Sequence, residues 1–171
     1  KNIPFDFYHL NQLAHRIGSD QEAIEIAKQL AESFKVEAAI RDHERRLPLK
    51  EIQAYSQSGL WGINIPKRYG GAEVSYKTLA EVVKIISSVD SSLGQIAQNH
   101  WAFIEHVRLD ATEEQKQFFF EQILNGHRFG NAFSEKNSKT VADLTTRIEF
   151  KENHAVINGQ KFFATGALLA H

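Results

Sequence analysis

The chain contains no cysteine, which excludes a disulfide framework, a thiolate metal site and a cysteine nucleophile together. It contains no methionine either; a processed or cut polypeptide and one whose methionines are present in modified form would both account for that. Neither sign of charge dominates, since 20 Lys and Arg face 21 Asp and Glu for a net charge of -1. Nucleic-acid binding by counterion release needs a basic surplus, so the balance argues against a dedicated nucleic-acid binder. No stretch approaches the roughly 18 apolar residues of a membrane span. The first ten residues carry Asp6 and His9 where a signal peptide would have an apolar core. A soluble, cytoplasmic protein with no membrane or nucleic-acid partner is expected.

What is present fits a folded chain. Its 171 residues suit one domain, or one domain and the beginning of another. A chain of this length buries roughly 70% of the surface it exposes when unfolded, so a core forms without metal or disulfide. The 12 phenylalanines supply much of that core. Arg41, Arg45 and Arg46 are interleaved with Asp42 and Glu44, the pattern of a solvated, salt-bridged helix face, with anion binding as the alternative.

Apolar spacing organises the chain into helices followed by strands. Ser19-x-x-Glu22 reads as a capping box, opening one long amphipathic helix through Ala23, Ala27, Leu30, Ala31, Phe34 and Ala38 and ending near the arginine run. Leu47-Pro48 restarts the chain into a short helix through Leu49, Ile52, Tyr55 and Ser56, which stops at Gly59. A connector with a buried Trp61 follows, closed by Pro66 and Gly70-Gly71. Two further helices start near Ser75 and Ser91. Thr112-x-x-Gln115 opens a last one, with Phe118, Phe119, Ile123 and Leu124 facing inward up to Gly126. Beyond Gly126 the period changes, and strands are expected at 129–133, 144–150, 154–158 and 160–165, with Asn158-Gly159 as a hairpin turn. The fold class is therefore α+β, with a helical domain over 1–126 and the first strands of a second domain over 127–171. Three or four strands are too few to close a barrel, so an unfinished sheet is expected in a truncated or incompletely observed protein.

The phosphate-loop, dinucleotide-turn, zinc-hydrolase and nucleophile-elbow signatures are absent from the sequence. His100 and His106 lie on different faces of one helix, so no metal site is expected. Two segments remain. Gly130 to Glu135 places an amide, a hydroxyl and a carboxylate after a lean backbone. Lys161 to Gly166 places two adjacent aromatics before a hydroxyl. Such a set suits the edge and face of a planar aromatic cofactor, and it equally suits an ordinary strand end.

The ordered series Arg45-Arg46-Leu47-Pro48, Ser58-Gly59-Leu60-Trp61-Gly62-Ile63, Pro66, Tyr69-Gly70-Gly71, Asp90-Ser91-Ser92, His100, Thr112 to Lys116, Gly130 to Glu135 and Asn158-Gly159-Gln160-Lys161 resembles the acyl-CoA dehydrogenase superfamily from about residue 36 onward. The resemblance implies an N-terminal helical domain, the opening strands of a middle β-barrel, a bound flavin (FMN or FAD) and a homotetramer. It places Ala132, Phe133 and Ser134 at the flavin pyrimidine edge, and Phe163, Ala164 and Thr165 against the ring. The stretch Ser134 to Val141 departs from the dehydrogenase Thr-Glu-Pro and glycine-rich turn. With Phe162 to Leu168, it looks like the sulfur-acquisition and dibenzothiophene monooxygenase branch, whose members use reduced flavin from a partner reductase. That branch implies catalytic roles for His100 and Asn131 and substrate contacts for Trp101 and Ser138. The expected function is a reduced-flavin monooxygenase of small organosulfur substrates. The alternatives are an acyl-CoA dehydrogenase, whose catalytic carboxylate would lie outside these residues, and a helical interaction module without cofactor.

Overall fold

The computed structural model describes residues 13–136, 139–140 and 143–171. Among the described residues, the regular secondary structure is six α-helices, three single 3-10 turns and one two-stranded hairpin. Helix α1 (Asp20–Lys35) starts under Ser19, whose hydroxyl accepts from the Glu22 N–H at 3.2 Å. Glu22 reaches one residue further back than a capping box requires, to the Gly18 N–H at 2.7 Å. Ala23, Ala27 and Ala31 form the buried stripe, and side chains this small let α4 (Tyr76–Ser87) pack closely through Val82 and Ile86. The Asp20 carboxylate joins the two helix starts, accepting from the Ser75 N–H, the Ser75 hydroxyl and the Thr78 hydroxyl at 3.0, 2.8 and 2.6 Å.

The single long helix expected through Ala38 is two helices. After the break at Val36 and Glu37, where Glu37 leaves helical geometry (φ -116°, ψ 5°), α2 (Ala38–Glu44) buries Arg41. Arg41 is buried. It donates to Glu51 at 2.8 Å, to Asp90 at 2.6 Å and to the Phe34 carbonyl at 3.2 Å. Only Arg46 shows the expected surface pairing, with Glu37 and Glu44. The local charge alternation looks the same for both arginines, and Arg41 is buried because two carboxylates distant in sequence meet it.

Helix α3 (Leu49–Gln57) ends before Gly59, whose φ of +82° turns the chain; a side chain there would run into the His15 carbonyl. Leu60, Trp61, Ile63 and Ile65 of the connector are fully buried. Asp90 caps α5 (Ser91–Asp110), accepting from the Ser92 and Leu93 N–H groups at 3.0 and 3.1 Å. The reciprocal Thr112–Gln115 box opens α6 (Glu113–Leu124) as expected. On α6 the inward ring is Phe120, edge-on to Tyr69 at 4.9 Å, while Phe118 is exposed and Phe119 half-buried. With three consecutive phenylalanines the periodicity cannot choose a register; the Tyr69 contact does.

The region after α6 is less regular than expected. Strands β1 (Arg147–Phe150) and β2 (Ala155–Asn158) pair antiparallel, Arg147 opposite Asn158 and Phe150 opposite Ala155. The turn between them spans 151–154, closed by Lys151 N–H to the His154 carbonyl at 2.8 Å. Asn158-Gly159 is therefore the end of a strand and not a hairpin turn. Gly159 is nearly extended, and a Cβ there would lie 2.7 Å from Thr146 Cα, so the glycine serves close approach. Segments 129–133 and 160–165 form no strand. No helix among the described residues is long and apolar enough to cross a membrane.

The Arg41 pairs make Asp90 a point of concentrated stability. Asp90→Ala removes a helix cap and leaves a buried guanidinium with one carboxylate fewer, and should cost about 3–5 kcal/mol in urea denaturation. In an Arg41→Leu background the same substitution should cost clearly less, because the two residues share one interaction.

Candidate functional site

The two segments singled out by residue type lie side by side. The Asn131 N–H donates to the Thr165 carbonyl at 2.8 Å, and the Phe162 N–H to the Ser134 carbonyl at 2.8 Å. They run antiparallel, joined by these two bonds without a continuous ladder. Gly130 permits the approach, since a Cβ there would lie 2.8 Å from Ala167 Cα. Phe133 is 52% and Phe163 88% exposed, and Phe163 holds a φ of +52°, uncommon for a bulky residue and a feature of functional sites. Among the described residues, neither the Ser134 nor the Thr165 hydroxyl has a hydrogen-bond partner. Ala132 is exposed and Ala164 half-buried. Ala164 borders a cleft of about 590 Å³ between α2, the start of α5 and residues 164–169, which Arg45, Ser92, Ile96 and Leu168 also line. Uncovered aromatic walls with uncharged hydroxyl and amide donors fit a flat heteroaromatic ring with a polar edge.

The expected catalytic pair separates. Asn131 is half-buried at the shelf, and its side-chain amide donates to Asn99 Oδ1 of α5 at 3.0 Å. Asn99 had no distinguishing signal in the sequence; it becomes visible only through this contact. His100 is fully buried. Its Nδ1 accepts from the Phe129 N–H at 2.9 Å, so Nε2 carries the hydrogen and donates to the Trp61 carbonyl at 3.1 Å. With both nitrogens engaged and the ring buried, His100 holds the shelf segment onto α5. Trp101 is likewise core: its indole N–H donates to the Leu60 carbonyl at 3.0 Å. Trp101, expected at the substrate, is buried in the core, and Ser138 lies outside the described residues.

A buried polar thread backs the histidine. Ser56 Oγ accepts from the Trp61 indole at 2.8 Å and from Arg128 at 2.9 Å. Burial pushes the Arg128 guanidinium down to about 10, which leaves it charged at neutral pH. Trp61 stacks on Tyr55 at 4.1 Å and meets the His100 ring edge at 4.9 Å. Sequence reasoning also missed Glu135 and Lys161 as a pair, joined at 2.7 Å; 26 residues apart in an irregular region, they carry no local signal.

Burial drives the His100 pKa down to about 3; the Trp61 carbonyl opposes that shift and the Arg128 charge adds to it. The unfolded chain binds a proton near pH 6.5 that the native imidazole refuses, so this group's contribution is complete above 6.5 and is lost as pH falls toward 3. Stability should rise with pH across that window by up to about 1.4 kcal/mol per unit. His100→Gln should be less stable at pH 7 and show a shallower slope in thermal melts; an unchanged slope would remove His100 as the source.

Residues 20–127 match the acyl-CoA dehydrogenase N-terminal domain family. A dibenzothiophene monooxygenase of Rhodococcus qingshengii is 30% identical over 153 residues, covering 89% of this chain and 37% of that protein. FMN-bound TdsC from Paenibacillus sp. A11-2 superposes with a TM-score of 0.78 at 34% identity, over 86% of this chain and 37% of TdsC. Methanesulfinate monooxygenase MsuC from Pseudomonas fluorescens gives a TM-score of 0.74 at 32% identity, over 84% of this chain and 36% of MsuC. The chain thus spans little more than a third of the length of these relatives. By the match over residues 20–127, this chain belongs to the acyl-CoA dehydrogenase family and carries its N-terminal domain.

Proposed function

We propose that the protein to which this chain belongs is a reduced-flavin monooxygenase of small organosulfur substrates. The observation that carries the reading is the antiparallel shelf, with exposed Phe133 and Phe163 beside the uncommitted hydroxyls of Ser134 and Thr165. Similarity to TdsC, with its bound FMN, and to two proteins named as sulfur-compound monooxygenases supports it. Phe133 and Phe163 would cover apolar ring surface, and the backbone of Ala132 and Ala164 leaves room for it. Ser134 and Thr165 would donate to the polar edge, where they stabilise charge that builds on reduction. Bound reduced flavin would supply the electrons that reduce dioxygen, one oxygen atom going to the substrate sulfur and the other leaving as water.

Asn131 is the residue assigned to orient oxygen or substrate, because its amide lies at the shelf and Asn99 fixes its rotamer. His100 acts one step back, through its bond to the Phe129 N–H. Substrate would approach from the cleft bordered by Ala164, with Ser138 as a further contact. A cytoplasmic location, a partner flavin reductase and a homotetramer complete the reading.

The full-length protein, given reduced FMN, oxygen and an organosulfur substrate such as methanesulfinate or dibenzothiophene, should form the oxygenated product in step with flavin consumption. Asn131→Ala should lower turnover about 100-fold with unchanged far-UV circular dichroism. Turnover equal to wild type would count against the assignment. Bleaching of oxidised flavin by an acyl-CoA assigns a dehydrogenase instead, and absence of flavin binding leaves an interaction module.

A further inference from the structure

The Glu135 carboxylate is the most heavily bonded side chain near the shelf, and nothing in the proposed chemistry uses it. Its side chain is 2% exposed. One oxygen accepts from the Thr145 N–H and the Thr145 hydroxyl, both at 2.5 Å; the other accepts from the Thr146 N–H at 2.9 Å and Lys161 Nζ at 2.7 Å. Lys161 Nζ continues to the Phe133 carbonyl at 3.0 Å. The adjacent Ser134 carbonyl is held by the Phe162 N–H. One carboxylate thus ties together the shelf segment, the approach to β1 and the start of the second segment.

We propose that Glu135 is a positioning residue for the cofactor shelf: through Lys161 it fixes the peptide orientations of Phe133 and Ser134 that present donors to the flavin. The proposal rests on the flavin reading above. Its geometry argues against a catalytic base, since among the described residues four donors already engage its two oxygens and solvent hardly reaches it. The Lys161 hydrogen bond, followed by those from Thr145 and Thr146, holds the carboxyl far below the ordinary carboxylate range. The clamp therefore stays ionised at any pH where the protein works, and does not switch. An amide cannot replace it. In either orientation of a glutamine, an NH2 group would face Thr145 donors or Lys161, and one arm of the clamp would open.

The test uses Glu135→Gln and Lys161→Met in the full-length protein. The second variant keeps the threonine bonds to Glu135 and removes the Lys161 ammonium from both the carboxylate and the Phe133 carbonyl. FMN dissociation constants come from fluorescence quenching, bound-flavin reduction potentials from dye equilibration, and amide exchange of 133–136 and 145–146 from the protein without flavin. Both variants should bind FMN about tenfold to 100-fold more weakly and show a lower potential, with helical content retained. Thr145 and Thr146 amides should exchange faster in Glu135→Gln alone. Wild-type affinity and potential in Lys161→Met overturn the proposal, as does weakened binding with an unmoved potential, which would mark a purely structural role. Should Glu135→Gln fail to fold, Lys161→Met decides. Absence of FMN binding by the wild type defeats the flavin reading itself and this proposal with it, a result distinct from normal binding in both variants.

Discussion

A neutral imidazole between three chain segments is the constraint on which the site depends. His100 sits on α5, receives the Phe129 N–H and gives its own hydrogen to the Trp61 carbonyl. A buried backbone carbonyl and a buried N–H from segments with no regular pairing would each be costly to leave alone. One side chain with a donor on one side and an acceptor on the other satisfies both. It can do so only while uncharged, because protonation would turn Nδ1 from acceptor to donor and set it against the Phe129 N–H. Burial and the nearby Arg128 charge favour the uncharged form.

The consequence for the shelf is geometric. Phe129 is held to α5, and two residues later Asn131 is held twice, by the Thr165 carbonyl and by Asn99. Glu135 and Lys161 hold the far end. Between these anchors the backbone from 131 to 135 has little freedom although it forms no strand. Fixed positions of this kind are what donors at a cofactor edge require, since their electrostatic benefit depends on needing no rearrangement when charge develops. The exposed face of the hairpin, with Ile148, Phe150 and Ile157 together, stands apart from this anchoring.

Charged groups show the same division between local pattern and distant partner. Asp90 closes the first turn of α5 with one oxygen and receives Arg41 with the other. Burial alone would raise its carboxyl; the Ser92 and Arg41 hydrogen bonds prevail and hold it below the ordinary value. Arg41 can be interior because Glu51 and Asp90 together neutralise it.

The helical half was legible in the sequence because its information is local. Caps at Ser19, Ser75 and Thr112 are satisfied within a few residues of where they occur, and the alanine stripe of α1 and the Gly59 stop are written in residue type and spacing. The segments 130–135 and 161–166, singled out by residue type, lie side by side, although neither forms the expected strand. Tertiary structure decided the rest: the break before α2, the choice of Phe120 over Phe118, the interior place of Arg41, the shift of the hairpin turn to 151–154, and the burial of His100 and Trp101. Several of these turn on a partner 10 or more residues away, such as Asp90 for Arg41, Tyr69 for Phe120 or Trp61 for His100. Periodicity reports which face of an element is apolar, but it does not report what that face meets.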